Sequence, residues 1–402
     1  LKKLLTSRRG LVRAAIVFYI LQILFQHKIA LLMLMAFGAV FCVAWAVARG
    51  ELRFSFHILY YPLFLYGLVS SISALAAATH IHQGAEGALW FKMLIFPAAI
   101  ILYREIPELK EQILYPYALL AGGSSIWALL QFATLDSRTL EHRISGPSSH
   151  VMTFSGLLLP LSLMFLVLWW RQRKPLWLAV TLLSTTTLLL TFTRSVWLGW
   201  GAAVFALLML TRTQIRYYAL PVLLLFITFL PLSLFGRLIS VFDMKQSSNF
   251  DRIRMLQAGV EMIRDHPVLG VGPANVKESY AIYRKQDAPR PRPPHLHNNI
   301  VQLWAERGIL GLAAYITLLA LFLRQCAQAW RTQRMWAEIG VAVTVSLTVA
   351  GLFEFNFGDT EVFYLMLNLM ALVAAWTDSN ERVPDLVPAV ASGGQAISPV
   401  HV

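Results

Sequence analysis

The stretch His295-Leu296-His297-Asn298-Asn299-Ile300-Val301-Gln302-Leu303-Trp304-Ala305-Glu306-Arg307-Gly308-Ile309-Leu310-Gly311 joins two imidazoles, two amides and an adjacent Glu-Arg pair to the start of an apolar run. The stiff, basic segment Pro289-Arg290-Pro291-Arg292-Pro293-Pro294 comes just before it. Polar groups are costly inside hydrocarbon and tend to have a role where they meet it. A cluster of this kind at the mouth of an apolar helix therefore reads as a reaction site at a membrane surface.

The rest of the chain supports that placement. Of 402 residues, 57% are hydrophobic and 14% charged, with a mean hydropathy of +0.60. A soluble globule carries about 25% charged residues, so that class is excluded. Apolar runs of about 20 residues, long enough to cross roughly 30 Å of hydrocarbon, recur throughout. They predict an all-α polytopic bundle forming one domain over residues 1–377, with about twelve transmembrane helices. Their expected spans are 14–26, 29–48, 54–79, 86–103, 113–135, 150–170, 176–192, 195–211, 217–235, 307–323, 337–355 and 362–377.

Every second connector is basic: Lys2, Lys3, Arg8, Arg9 and Arg13; Arg49 and Arg53; Arg104 and Lys110; Arg171, Arg173 and Lys174; Arg212 and Arg216; Arg324, Arg331 and Arg334. Short cytoplasmic loops retain Lys and Arg, so these connectors are expected inside, with both termini cytoplasmic. Cys42 and Cys326 then fall toward the cytoplasmic side, and no disulfide is expected. The first helix reads as an anchor, not a removed signal peptide. The tail 378–402, rich in Pro and Gly, reads as disordered.

One outer connector, 236–297, is about sixty residues long and carries ten Lys or Arg against six Asp or Glu. Long loops escape the positive-inside rule, so the topology stands. Such a loop is either a solvated, lipid-attracted surface or a phosphate-binding canopy over the site. Ile253, Leu256, Val260 and Ile263 recur at helical spacing from Asp251 to Arg264, predicting an amphipathic helix along the membrane surface. His266-Pro267-Val268-Leu269-Gly270-Val271-Gly272-Pro273 ends it as a turn.

His297 is the candidate general base, since imidazole accepts a proton near neutral pH. His295 is a weaker candidate that docks the loop. Arg194, in Thr191-Phe192-Thr193-Arg194-Ser195, sits where two apolar helices meet with almost no connector, and reads as an anion ligand against the alternative of a snorkelling anchor. Arg252 and Arg254, near the start of the loop helix, and Arg143 on another outer connector are candidate phosphate ligands, because guanidinium groups bind phosphate oxygens in bidentate fashion. Asn298 and Arg307 support the site, and Asp359 either orients a histidine or caps a helix. The outer connectors hold no Asp-x-Asp pair and no cysteine, and the histidines lack i,i+4 spacing, so no metal or other cofactor is expected. A transporter or flippase is the competing class. Its usual marks, internal repeats and charges near the midplane, are not detected.

His297-Asn298, followed by Gly308 and Gly311, resembles the signature of the O-antigen ligases, bacterial enzymes that join O-antigen to lipid A-core. Arg194 at its tight junction, Arg252 with the downstream His266-Pro267 and Gly270-Val271-Gly272, and the long outer loop are similar to the same family. A tryptophan of the family's loop helix stands as Leu256 here, which leaves the choice between Arg252 and Arg254 open. The wider superfamily includes O-antigen polymerases and protein O-oligosaccharyltransferases, and relatives of the second kind usually run longer. The resemblance implies a periplasmic active site in the bacterial inner membrane. It also implies a donor of O-antigen linked to undecaprenyl diphosphate, lipid A-core as acceptor, and inner-membrane lipid as surroundings, with no nucleic-acid partner.

Overall fold

The computed structural model describes residues 10–77, 89–134, 143–211 and 247–378. Among these the chain is helical, with no strand. The helices are α1 (Gly10–Leu24), α2 (Ile29–Ala48), α3 (Tyr60–Ala77), α4 (Ile95–Glu105, led by a 3₁₀ turn at Leu89–Leu94), α5 (Pro107–Gln112), α6 (Leu114–Thr134) and α7 (Val151–Gln172). They continue as α8 (Pro175–Leu190), α9 (Arg194–Leu210), α10 (Ser247–Asp265), α11 (Val276–Tyr283), α12 (Asn299–Gln328), α13 (Arg334–Ala350) and α14 (Thr360–Thr377). The expected helix at 217–235, the loop stretch 236–246, the basic residues Lys2 to Arg9 and the tail beyond Asp378 lie outside the described residues.

Six of the described helical stretches are long and apolar enough to cross a membrane: Ile29–Ala48, Tyr60–Ala77, Pro107–Thr134, Val151–Gln172, Asn299–Gln328 and Thr360–Thr377. Gly10–Leu24, Pro175–Leu190 and Arg194–Leu210 are shorter apolar helices. α7 and α14 are buried along most of their length. A helix apolar on every side belongs at the centre of a bundle, and these two form its middle. α2, α3 and α6 instead expose Phe37, Phe41, Phe64, Leu75, Leu119 and Trp127, as helices facing lipid do. The expected span at 86–103 is divided, because Pro97 has no N–H to give Met93 and its ring opposes the preceding turn. The α ladder therefore starts at Ile95, after a 3₁₀ lead-in.

The basic connectors that fall within the described residues gather at one end; Arg212 and Arg216 lie outside those residues. Arg171 pairs with Glu338, which also accepts from Arg334 Nε at 3.1 Å. Arg104 pairs with Asp378, and buried Lys110 donates to the Ala375 carbonyl at 3.1 Å beside the stacked Trp336 and Trp376 rings. Cys42 and Cys326 are free and buried. The opposite end, called outer below, holds the α10–α11 loop. This loop has its own small core of Met255, Ala258, Met262, Val271, Val276, Tyr280, Leu296 and Ala305.

α12 begins earlier than the apolar run alone implied. Asn298 caps it by accepting from Val301 N at 2.9 Å, and the helix then breaks at Gly308 (φ 64°, ψ −172°). The break frees carbonyls, and unpartnered backbone groups are costly. The predicted turn at His266–Pro273 satisfies them: Val271 N donates to Ala305 O at 2.8 Å and Gly272 N to Glu306 O at 3.0 Å, while Ile309 N donates to Pro267 O at 2.9 Å. The approach is close enough that a side chain at Gly308 would collide with the Val268 carbonyl, and one at Gly270 with the Glu306 backbone.

Gly308→Ala should therefore lower the melting temperature of the detergent-purified protein, because a positive φ and a backbone clash coincide there. Gly201→Ala, at a helical position with open space around it, should not. Equal melting of both variants would refute the clamp. For topology, cysteines introduced at Lys285 and Arg173 should behave oppositely toward an impermeant maleimide in intact spheroplasts, with Lys285 labelled and Arg173 protected.

Candidate active site

The site is built where α12 starts. Asn299 N donates to Gly351 O at 2.7 Å, Asn299 Nδ2 donates to Asn356 Oδ1 at 2.7 Å, and Asn299 Oδ1 accepts from Phe357 N at 3.2 Å. Asn298 Nδ2 adds a bond to Leu352 O at 2.9 Å. Two consecutive amides thus pin the α13–α14 connector against the residues that lead into α12. This delivers Glu354, from Leu352-Phe353-Glu354-Phe355-Asn356, to the histidines.

Glu354 is the centre of the arrangement. His297 Nδ1 lies 2.9 Å from Glu354 Oε2, and His295 Nε2 lies 3.4 Å from Oε1. Arg252 Nη2 is 3.9 Å from Oε2. The His297 backbone N–H points at His295 Nδ1, 3.4 Å away, which leaves the His295 proton on Nε2, toward the carboxylate. The two imidazoles meet edge to face with centroids 4.2 Å apart. A carboxylate cannot donate when ionised, so the His297 nitrogen facing it, Nδ1, carries a proton, and in the neutral ring the lone pair is then on Nε2. His297 itself has φ 52°, in the left-handed region, a strained conformation for a residue with a side chain. The Asn298 and Asn299 contacts that follow it hold it there, together with the Leu296 N–H that donates to Gln302 Oε1 at 2.7 Å just before it.

The charges follow from burial. Burial alone would raise the Glu354 carboxyl; the hydrogen bond and charge of His297, then His295 and Arg252, outweigh it and lower the value. The docking this carboxylate provides is thus present at neutral pH and lost as pH falls through its depressed value. Burial lowers His295 to about 4 despite Glu354, with His297 and the two arginines adding to the effect, so it is neutral at pH 7. Burial likewise pulls Arg252 below its ordinary value, opposed by Glu354.

The arginines are placed differently. Arg252 faces the histidine–carboxylate cluster. Arg194 Nη2 donates to Asn249 Oδ1 at 3.0 Å, and Asn249 stands one turn before Arg252 on α10. Arg143 Nη1 reaches the Phe192 carbonyl at 3.4 Å, within the tight α8–α9 junction. Arg254 turns elsewhere, bonded to Gln257 and Asp287 and lying over the Phe250 ring. α10 starts at Ser247, so Arg252 lies beyond the first turn, within which the helix dipole fades, and the dipole adds little there. Arg290 bonds buried Asp251 at 2.9 Å and so holds the proline-rich segment onto α10.

Two supporting residues have structural contacts. Arg307 bonds Ser70 Oγ at 3.0 Å, pairs with Glu306 and lies over the Tyr66 ring, tying α12 to α3. Asp359 caps α14 through Glu361 N and Val362 N and accepts from Thr153 Oγ1 at 2.5 Å. The acid that meets the histidines is Glu354, which the sequence reading missed because the expected span 337–355 placed it inside a helix; the helix ends at Ala350, which leaves Glu354 in the connector. His295, His297 and Glu354 place three possible metal ligands within 4.8 Å of one another. Motif spacing did not anticipate that set, because its members come from two connectors. It is chemically suited to zinc. In this arrangement the three groups bond one another, and the Arg252 charge stands beside them.

No curated protein matches the chain. Residues 178–316 match the family model described as O-antigen ligase. The matched segment runs from α8 into α12 and holds Arg194, Arg252, His295, His297 and Asn298; Arg143, Glu354 and Asp359 lie beyond it. Over that segment the chain is similar to the O-antigen ligases, and the match is centred on the outer loop that carries the histidines.

Proposed function

We propose that this protein is a ligase of the inner membrane that transfers O-antigen polysaccharide from undecaprenyl diphosphate to a sugar hydroxyl of lipid A-core on the periplasmic side. The observation that carries the reading is the His297–Glu354 hydrogen bond with Arg252 beside it. It pairs an oriented base with a cation suited to a phosphate leaving group. Both substrates are amphiphiles, which fits a site at the outer end of a membrane bundle.

In this reaction Glu354 holds the His297 Nδ1–H, and His297 Nε2 takes the proton of the acceptor hydroxyl. The hydroxyl oxygen attacks the anomeric carbon as the bond to the diphosphate oxygen breaks. The bonding pair leaves with the diphosphate, whose growing charge is met by Arg252 and Arg194, with Arg143 nearby. A single displacement inverts the anomeric centre. The energy resides in the lipid diphosphate linkage, so no nucleotide is consumed.

Reconstitution with purified protein, lipid-linked donor and separate acceptors tests the reading. Glycosylated lipid A-core supports it, whereas elongated lipid-linked glycan would make the protein a polymerase. His297→Ala should lower kcat by roughly 10²–10⁴-fold. Glu354→Gln should lower kcat with little change in donor KM, because it acts through His297. Arg252→Ala and Arg194→Ala should raise donor KM as well as lower kcat, and Arg→Lys should recover little, since a point charge does not replace the bidentate fork. Full activity in both alanine variants would remove the arginines from the reaction.

Metal dependence is checked on the same preparation. Chelator should leave the rate unchanged, and loss of activity restored by added zinc would reassign His295, His297 and Glu354 as metal ligands.

A further inference from the structure

A concavity lies between α1, the α1–α2 connector and α6. Its volume is about 310 Å³, and its lining includes Leu24, His27, Lys28, Leu119, Gly123 and Trp127. None of these belongs to the candidate active site. The deep part is apolar. Gly123 widens it, since a side-chain carbon there would touch nothing nearer than Leu119, at 4.0 Å. Leu119 and Trp127 are 63% and 59% exposed, so the wall opens sideways, where the bilayer lies.

The mouth is polar, and Lys28 is the one cation among the described residues that line it. Lys28 is exposed, and its ammonium has no acidic partner among the described residues. His27 Nδ1, 2.6 Å from Ser148 Oγ, pins the short α1–α2 connector to the segment before α7, which holds Lys28 over the opening. His27 Nε2 has no hydrogen-bond partner among the described residues. Burial, with the Lys28 charge adding to it, lowers His27 to about 4. At neutral pH the lining therefore presents one positive charge.

An apolar cleft open to the bilayer, with one interfacial cation at its rim and an indole beside it, matches a lipid lying chain inward and phosphate outward. One charge suits the single charge of a phosphodiester. A diphosphate carries more and is better matched by the guanidinium groups around α10. The volume sits at the small end of ligand pockets, about 300–1,000 Å³, room for part of one chain and not for a long polyprenyl tail. We propose that this cleft binds one anionic glycerophospholipid of the surrounding membrane, its phosphate at Lys28 and one acyl chain along Leu24, Leu119 and Gly123. The inference does not depend on the catalytic reading.

The test is native mass spectrometry of the full chain, titrated in detergent with phosphatidylglycerol, phosphatidylcholine or undecaprenyl diphosphate. One phosphatidylglycerol should bind ahead of the rest and more tightly than phosphatidylcholine. Lys28→Ala should weaken that first event about fivefold, and Lys28→Glu more. Gly123→Leu, which fills the cleft and leaves the headgroup contact intact, should abolish it. Arg264→Glu makes the same charge change on the exposed face of α10 and should have no effect. Each variant is scored only as monodisperse protein with wild-type melting, and Gly123→Ala replaces Gly123→Leu if that variant fails to fold, with a smaller loss expected. Equal affinity for the two phospholipids, indifference to both Lys28 and Gly123 changes, or displacement of phosphatidylglycerol by undecaprenyl diphosphate in a Lys28-dependent way would each overturn the proposal.

Discussion

A carboxylate taken out of water is costly unless its lone pairs are met by donors. Glu354 is in that position, with only 12% of its side chain exposed, and the outer end of the molecule is organised around it. Its partners come from separate parts of the chain: His295 and His297 from the segment before α12, Arg252 from α10, and its own neighbour, the Phe355 N–H, at 3.3 Å. Removing any one leaves a buried charge poorly matched, so the loop, the connector and the helix start are held as a unit. The same demand gives His297 its orientation, since the ring nitrogen that faces Glu354 must carry the proton. Structural docking and chemical poise are thus two results of one electrostatic requirement.

The amides beside it make the arrangement precise. Asn298 and Asn299 are neighbours with different duties, one capping α12 and holding Leu352, the other gripping Gly351, Asn356 and Phe357. Backbone bonds of this kind fix a connector more exactly than apolar packing, because they are directional.

What could be read in advance follows from how local each signal is. The apolar runs, the turn at His266–Pro273 and the tight α8–α9 junction are written in consecutive residues, and the described helices follow them, whereas the cap at Asn298 that starts α12 before the apolar run was not read. Pro97 and Gly308 moved helix boundaries because each alters one turn inside a longer apolar pattern. Arg252 and Arg254 are two residues apart, so on a helix they point about 200° apart. Which of them meets the histidines depends on how α10 is rolled against α12, and that is a property of packing. Glu354 was illegible for a related reason: its histidine partners lie 57 and 59 positions away, and no motif spans the gap.

The break at Gly308 also sets a height. The twenty residues from Ile309 to Gln328 rise about 30 Å, the thickness of the hydrocarbon layer. The nine residues from Asn299 to Arg307 then carry the chain up to roughly 14 Å farther. Under the proposed reaction this stands the histidine at or above headgroup level while the prenyl anchor stays in the bilayer. Only the first sugars of such a donor would then meet the described residues. On that reading the remainder of the polysaccharide would extend into water beyond the described residues, and transfer would depend little on the length of the glycan.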